Sequence, residues 1–230
     1  MASPPAPATA APAAPAAPAA PAAPAAPAAP PTPATSSEAA AALRASGELQ
    51  AAFERYSRLL DLKQALLGWR HEEVGQLLAK MGDVARQQGL DAKALALYTR
   101  ALGVLEGVLG GTHAEVGALL GSLGIAQATL GKYAEACASH ERAVRIARAA
   151  HGAHSREVGA ALSNLGNARQ LQKRLPEACR LYAEALAIQE ALGGGGAAGG
   201  GMAAEVATTC ANWGSALLEA GHGAESVAQH

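Results

Sequence analysis

Few residue combinations in this chain could do chemistry, and the surroundings of each argue against it. Gly194, Gly196 and Gly199 have the spacing of a dinucleotide-binding loop, in which glycines let the backbone approach a pyrophosphate. Such a loop follows a strand and opens a helix. Here a helical pattern precedes it, and residues 193–201 are only glycine and alanine. His151 and His154, with His140 nearby, could suggest a metal. A structural metal site takes about four ligands, and no cysteine lies beside these two, so they read as helix-end and linker histidines. Cys137 and His140 fall on one helix face, the minimum for a thiol nucleophile with its base. No orienting group or oxyanion device accompanies them. Cys137 and Cys179 stand at equivalent places, and Cys210 falls in a leucine column, so all three read as small buried packing residues. No GxSxG, Walker A or HExxH motif occurs, and the sequence predicts neither an enzyme nor a cofactor.

Charge and composition narrow the class further. A net charge of −1 opposes whole-chain attraction to nucleic acid or membrane. The basic residues are clustered, however: Arg142, Arg145, Arg148, Arg156, Arg169, Lys173, Arg174 and Arg180 share their span with only Glu157 and Glu177. This reads as a solvated face, with docking of an acidic partner as the alternative. Three cysteines, none in a CxxC, fit a reducing compartment and a cytoplasmic protein. A Met-Ala-Ser start leaves organellar transit open, although the first arginine is Arg44. No membrane span is expected, because no long apolar window is free of charge and proline. Residues 1–35 carry no charge and hold most of the prolines, which recur every third residue from Pro12 to Pro30. Proline lacks a backbone donor and blocks helix interiors, so this segment is expected to be a disordered Ala/Pro-rich arm.

The remainder is built on an internal repeat. His71-Glu-Glu-Val-Gly75 recurs as His113-Ala-Glu-Val-Gly117 and as Ser155-Arg-Glu-Val-Gly159, 42 residues apart each time. The same lag aligns Gly82, Gly124 and Gly166, then Ala94, Ala136 and Ala178, then Tyr98, His140 and Tyr182. Apolar residues from Val116 to Leu130 and from Tyr133 to Ala150 follow a helical period, and glycines stop both stretches. Each unit is therefore a helix hairpin. The small columns, extended to Gly214, predict close helix approach within each hairpin. A lone hairpin cannot bury its apolar face, so the units must stack. The predicted fold is all-α, an α-solenoid of antiparallel helix hairpins over residues 36–230. Its units are 36–70 (degenerate), 71–112, 113–154, 155–201 and 202–230, the last truncated within its second helix. Residues 193–201 are expected to form a loop.

The period, together with Leu67-Gly-Trp-Arg-His71, Leu162-Ser-Asn-Leu-Gly166 and Gly131-Lys-Tyr-Ala-Glu-Ala136, resembles the tetratricopeptide repeat family, and within it the kinesin light chain-like subgroup. The resemblance implies a right-handed superhelix whose first helices line a concave, peptide-binding side. Residues next to the small column should point there: Lys80, Asp83, Arg86, Ser122, Ile125, Asn164, Asn167, Gln170, Asn212 and Ser215. Asparagine amides suit a peptide backbone, and Lys80 with Arg86 suit acidic side chains. The expected function is an adaptor holding extended, acidic-leaning segments of other proteins. The alternative is a regulatory portion of a larger enzyme whose catalytic domain lies beyond residue 230. One departure stands out. Where the family usually carries an aromatic three residues after the small residue, this chain has Ala85, Gln127, Arg169 and Leu217, which predicts a loosely packed stack.

Overall fold

A computed structural model describes residues 33–193 and 199–228. The described residues form nine helices and no strand: α1 (Pro33–Ala45), α2 (Leu49–Leu67), α3 (Glu72–Gln87), α4 (Asp91–Leu109), α5 (Ala114–Thr129), α6 (Tyr133–His151), α7 (Arg156–Leu171), α8 (Leu175–Gly193) and α9 (Gly199–Ala228). Consecutive helices pack as hairpins, α3 on α4, α5 on α6 and α7 on α8, and each hairpin packs on the next. Direct contact also runs from α3 to α5 to α7 to α9, so the first helices form a continuous layer.

The repeat motif owes its form to helix ends. His71 and His113 are N-caps whose Nδ1 accepts from the backbone N–H of Glu73 and Glu115, each at 3.3 Å. Ser155 caps α7 by accepting from the Val158 N–H at 3.3 Å. The histidine-or-serine column is thus a capping column. The glutamate two places later sits in the first helical turn, where the helix dipole favours negative charge. Turns within the hairpins are made by Gly47, Gly89 and Gly131 at φ +83°, +73° and +76°. In the next unit Lys173 takes this place at φ 63°, a conformation that costs a side-chain-bearing residue about 1–2 kcal/mol.

The small columns produce the expected close approach in three hairpins. A Cβ on Gly82 would lie 2.6 Å from the Tyr98 ring, one on Gly124 2.6 Å from the His140 imidazole, and one on Gly166 2.7 Å from the Tyr182 ring. Ala94, Ala136 and Ala178 are fully buried on the opposing helices. Gly214 does not continue this role: a Cβ there would meet nothing within 4 Å. Nor does the expected turn of the last unit form, since α9 runs unbroken through Gly221 to Ala228.

The same missing hairpin partner explains Cys210. Its counterparts Leu78, Leu120 and Leu162 are buried, whereas Cys210 is exposed and Cys179 is half-buried. Only Cys137 fills the buried role expected of all three cysteines. Two further expectations fall mainly outside the described residues. The Ala/Pro-rich arm does so except for residues 33–35, which open α1, where a proline in the first turn costs no hydrogen bond. Of the expected loop at 193–201, Gly193 ends α8 and residues 199–201 begin α9, while residues 194–198 lie outside the described residues.

Polar bridges stand at two of the four positions where aromatics were missing, Gln127 and Arg169. Ala85 is fully buried. Gln127 is buried and accepts from the Ser139 hydroxyl at 2.7 Å. Arg169 pairs with Glu141 and Glu177. Only Leu217, on α9, is left open, at 51% exposure.

Candidate functional site

Three cavities line up along the first-helix layer. One of about 180 Å³ lies among α1, α2 and α3 and is lined by Ser37, Lys63, Glu73, Gln76 and Lys80, among others. The next, about 300 Å³ between α3 and α5, is lined by Lys80, Asp83, Leu119, Glu115 and Ser122, among others. The third, about 220 Å³ between α5 and α7, has Gly121, Glu157, Ala160 and Asn164 on its walls. Small residues at Ala79, Ala118, Gly121 and Ala160 create this hollow strip, since larger side chains there would close it. Of the residues expected on the groove face, Lys80, Asp83 and Ser122 meet in one cavity and Asn164 lines the next.

The other predicted groove residues are used differently. The Tyr98 hydroxyl donates to Asp83 at 2.8 Å, and Arg44 pairs with the other oxygen of that carboxylate at 3.2 Å. The Tyr182 hydroxyl donates to Asn167 Oδ1 at 2.6 Å, with Gln170 Oε1 a second acceptor of the same hydrogen at 3.0 Å. Asp83 therefore anchors the tyrosine of the α3–α4 hairpin, and Asn167 with Gln170 that of the α7–α8 hairpin. Burial raises the pKa of both tyrosines, and hydrogen bonding to Asp83 raises that of Tyr98 further. Arg86 stands beside the Tyr98 hydroxyl, where its charge opposes that rise, and its Nε is enclosed without a partner. Asn212 is half-buried on α9 and Ser215, also on α9, receives a bond from Gln170 at 3.4 Å; neither lines the three cavities. In the middle hairpin the anchor is absent. The position equivalent to Asp83 is Ile125, and the buried His140 has no partner for Nδ1. Burial alone pushes its pKa down to about 4.

Six of the eight basic residues of the stretch make ion pairs. Arg142 pairs with Glu106, Arg148 with Glu184, Arg156 with Glu205, Arg169 with Glu141, Lys173 with Glu219 and Arg174 with Glu177. Arg145 and Arg180 are the members of the stretch outside these pairs. Its charge is mostly spent on stitching helices together. A hollow that sequence reasoning missed lies among α2, α4 and the loop before α3: about 470 Å³, lined by Trp69, Arg70, Arg100, Gly103 and Gly107. Its signals were a linker tryptophan, which is 61% exposed, and two helical glycines with nothing within 4 Å of a Cβ. Among the residues described, no group of three His, Cys, Asp or Glu converges as a metal site, and no helix is long and apolar enough to cross a membrane.

Stacked helix hairpins joined by helix-to-helix contacts, with a hollow strip along the first helices, define an α-solenoid of the repeat type. The chain belongs to the tetratricopeptide repeat family, which it matches over residues 32–106, 76–149 and 115–191. This fold generally mediates protein–protein interaction and is typically non-catalytic. Its solved neighbours are kinesin light chain-like. BtubC (BKLC) from P. vanneervenii superposes with a TM-score of 0.61 at 20% identity, over 83% of this chain and 82% of its own. A kinesin light chain-type protein of Podosopora anserina with nearly identical TPR-like repeats gives 0.64 at 19%, over 79% and 87%. A point variant of that protein gives 0.66 at 20%, over 85% and 95%. No curated protein sequence matches this chain.

Proposed function

We propose that this chain is a protein-interaction adaptor whose first-helix groove holds extended segments of other proteins. The row of three cavities between successive first helices carries this reading. Its walls combine apolar small residues with groups that both donate and accept, Ser122 and Asn164. That combination suits a main chain whose peptide groups need partners whatever the side chains. Of the two basic residues behind the expected acidic preference, Arg86 is held at Tyr98, so that preference reduces to Lys80.

A peptide-array screen followed by calorimetric titration tests the reading. Hits should bind at about micromolar strength, on the order of −8 kcal/mol. Ala118→Trp, which fills the central cavity, should abolish binding, and Asn164→Ala should weaken it for every hit. Asn212→Ala, outside the cavities, should do less. Hits that bind the Ala118→Trp protein as well as the parent would place recognition elsewhere.

A further inference from the structure

We propose that the segment held in this groove is basic, with an arginine or lysine side chain seated between Glu72 and Glu115 and a second cation facing Glu157; the inference rests on the groove reading above. Several charged residues on the groove face cancel in pairs. Lys63 meets Glu73 at 2.6 Å, and Arg44 meets Asp83 at 3.2 Å. Lys80 then stands as one cation against Glu72, Glu115 and Glu157, none of which makes an ion pair among the described residues.

Two of these carboxylates converge. The Gln76 amide donates to Glu72 Oε1 at 2.9 Å and lies 3.1 Å from both oxygens of Glu115, across the boundary between one repeat and the next. One neutral NH₂ thus bridges two anions, supplying two hydrogens and no charge to groups with about eight acceptor sites between them. Both are part-buried, and Glu115 and Gln76 line a cavity whose walls include Ala79, Leu105, Ala118 and Leu119. Low dielectric beside such a wall raises the value of a neutralising charge. A guanidinium, with five donors in a plane, answers both carboxylates at once.

Repeat geometry sets the spacing. Adjacent packed helices lie about 8–10 Å apart, and a peptide in the polyproline II form advances about 3.1 Å per residue with every third side chain on the same face. Cations three residues apart in the peptide would therefore meet Glu115 and then Glu157.

The test uses the full chain and two fluorescent peptides of equal length, one with arginine and one with glutamate at every third position of the same alanine–leucine background. The arginine peptide should bind more tightly. Replacing Glu72, Glu115 and Glu157 together by glutamine should weaken it roughly tenfold at low salt, with the difference shrinking as salt is added. Lys80→Gln should strengthen it. Thermal melts monitored by circular dichroism establish that each variant is folded; if Ala118→Trp is not, Ser122→Arg serves as the blocking variant. Tighter binding of the glutamate peptide, or a triple variant that holds the arginine peptide like the parent, overturns the charge assignment and leaves the groove standing. Undiminished arginine-peptide binding to the blocked variant, or binding of neither peptide to the parent, overturns the groove itself.

Discussion

His140 is a residue whose neighbours decide its chemistry. In the flanking hairpins a tyrosine hydroxyl reaches Asp83 or Asn167, but here the imidazole lies under Gly124 with Ile125 in the partner's place. Its folded pKa of about 4 lies below the unfolded value of 6.5. Between those values the unfolded chain binds more protons, so the stabilisation is complete above pH 6.5 and is lost as pH falls towards 4. The loss should approach about 3 kcal/mol. Urea denaturation at pH 7 and pH 4.5 should show it, and the double variant His140→Tyr with Ile125→Asn, which rebuilds the Tyr182–Asn167 pair, should lose that share of the pH dependence. Gly124→Leu should cost roughly 1–3 kcal/mol, because its side chain must displace the imidazole. Gly214→Leu should cost little, since its Cβ meets open space; equal effects of the two would undo the close-packing account. Lys173→Gly should gain up to about 1 kcal/mol by relieving the left-handed backbone, less the small worth of the Lys173–Glu219 pair.

At the scale of elements, α4 holds a measurable weakness. Gly103 and Gly107 sit inside it with nothing near a Cβ, so alanine at each should stabilise by about 0.5–1 kcal/mol in a thermal melt. A loss of stability instead would mean that the hollow beside Trp69 needs those glycines. Helices were the part of the molecule most legible in the sequence. The 42-residue lag matches the hairpins α3–α4, α5–α6 and α7–α8, because a helix boundary is written locally in its caps and its glycines, as at Ser155 and Gly152. The groove face was half legible. Register next to the small column picked out Lys80, Ser122 and Asn164, which line two of the cavities. It could not show that Asp83 and Asn167 turn towards a tyrosine in the same hairpin, because either side chain fits solvent or a buried hydroxyl equally well. Nor could it show that Gln76 joins Glu72 to Glu115, since the second of those bonds spans 39 residues and depends on how one repeat sits on the next. Cys210 and Gly214 misled for a related reason. Column position implies burial only where a second helix returns to cover it.

For the molecule as a whole, the arm and the solenoid should separate in a truncation series. Removing residues 1–32 should leave the thermal midpoint almost unchanged, as the charge-free Pro-Ala-Ala pattern implies. Removing residues 1–45 should lower it, because Ala40 is fully buried and Arg44 holds Asp83. Equal midpoints for the two truncations would show that α1 adds nothing. The ion pairs between second helices carry a different consequence. Glu106 on α4 faces Arg142 on α6, while one repeat later Arg148 faces Glu184 with the signs exchanged. Positions 106 and 148 are equivalent, as are 142 and 184. Loss of the unit 113–154 would therefore set Glu106 against Glu184, and its duplication would set Arg148 against a second Arg142. Each such error turns an attraction of about 0.2–1 kcal/mol into a repulsion of similar size. A chain lacking residues 113–154 should regain stability when Glu184→Arg is added, whereas the same substitution should weaken the full chain. The array in effect checks the parity of its own repeat number: similar units invite miscounting when genes recombine, and the alternating signs penalise a product that is one unit short or one unit long.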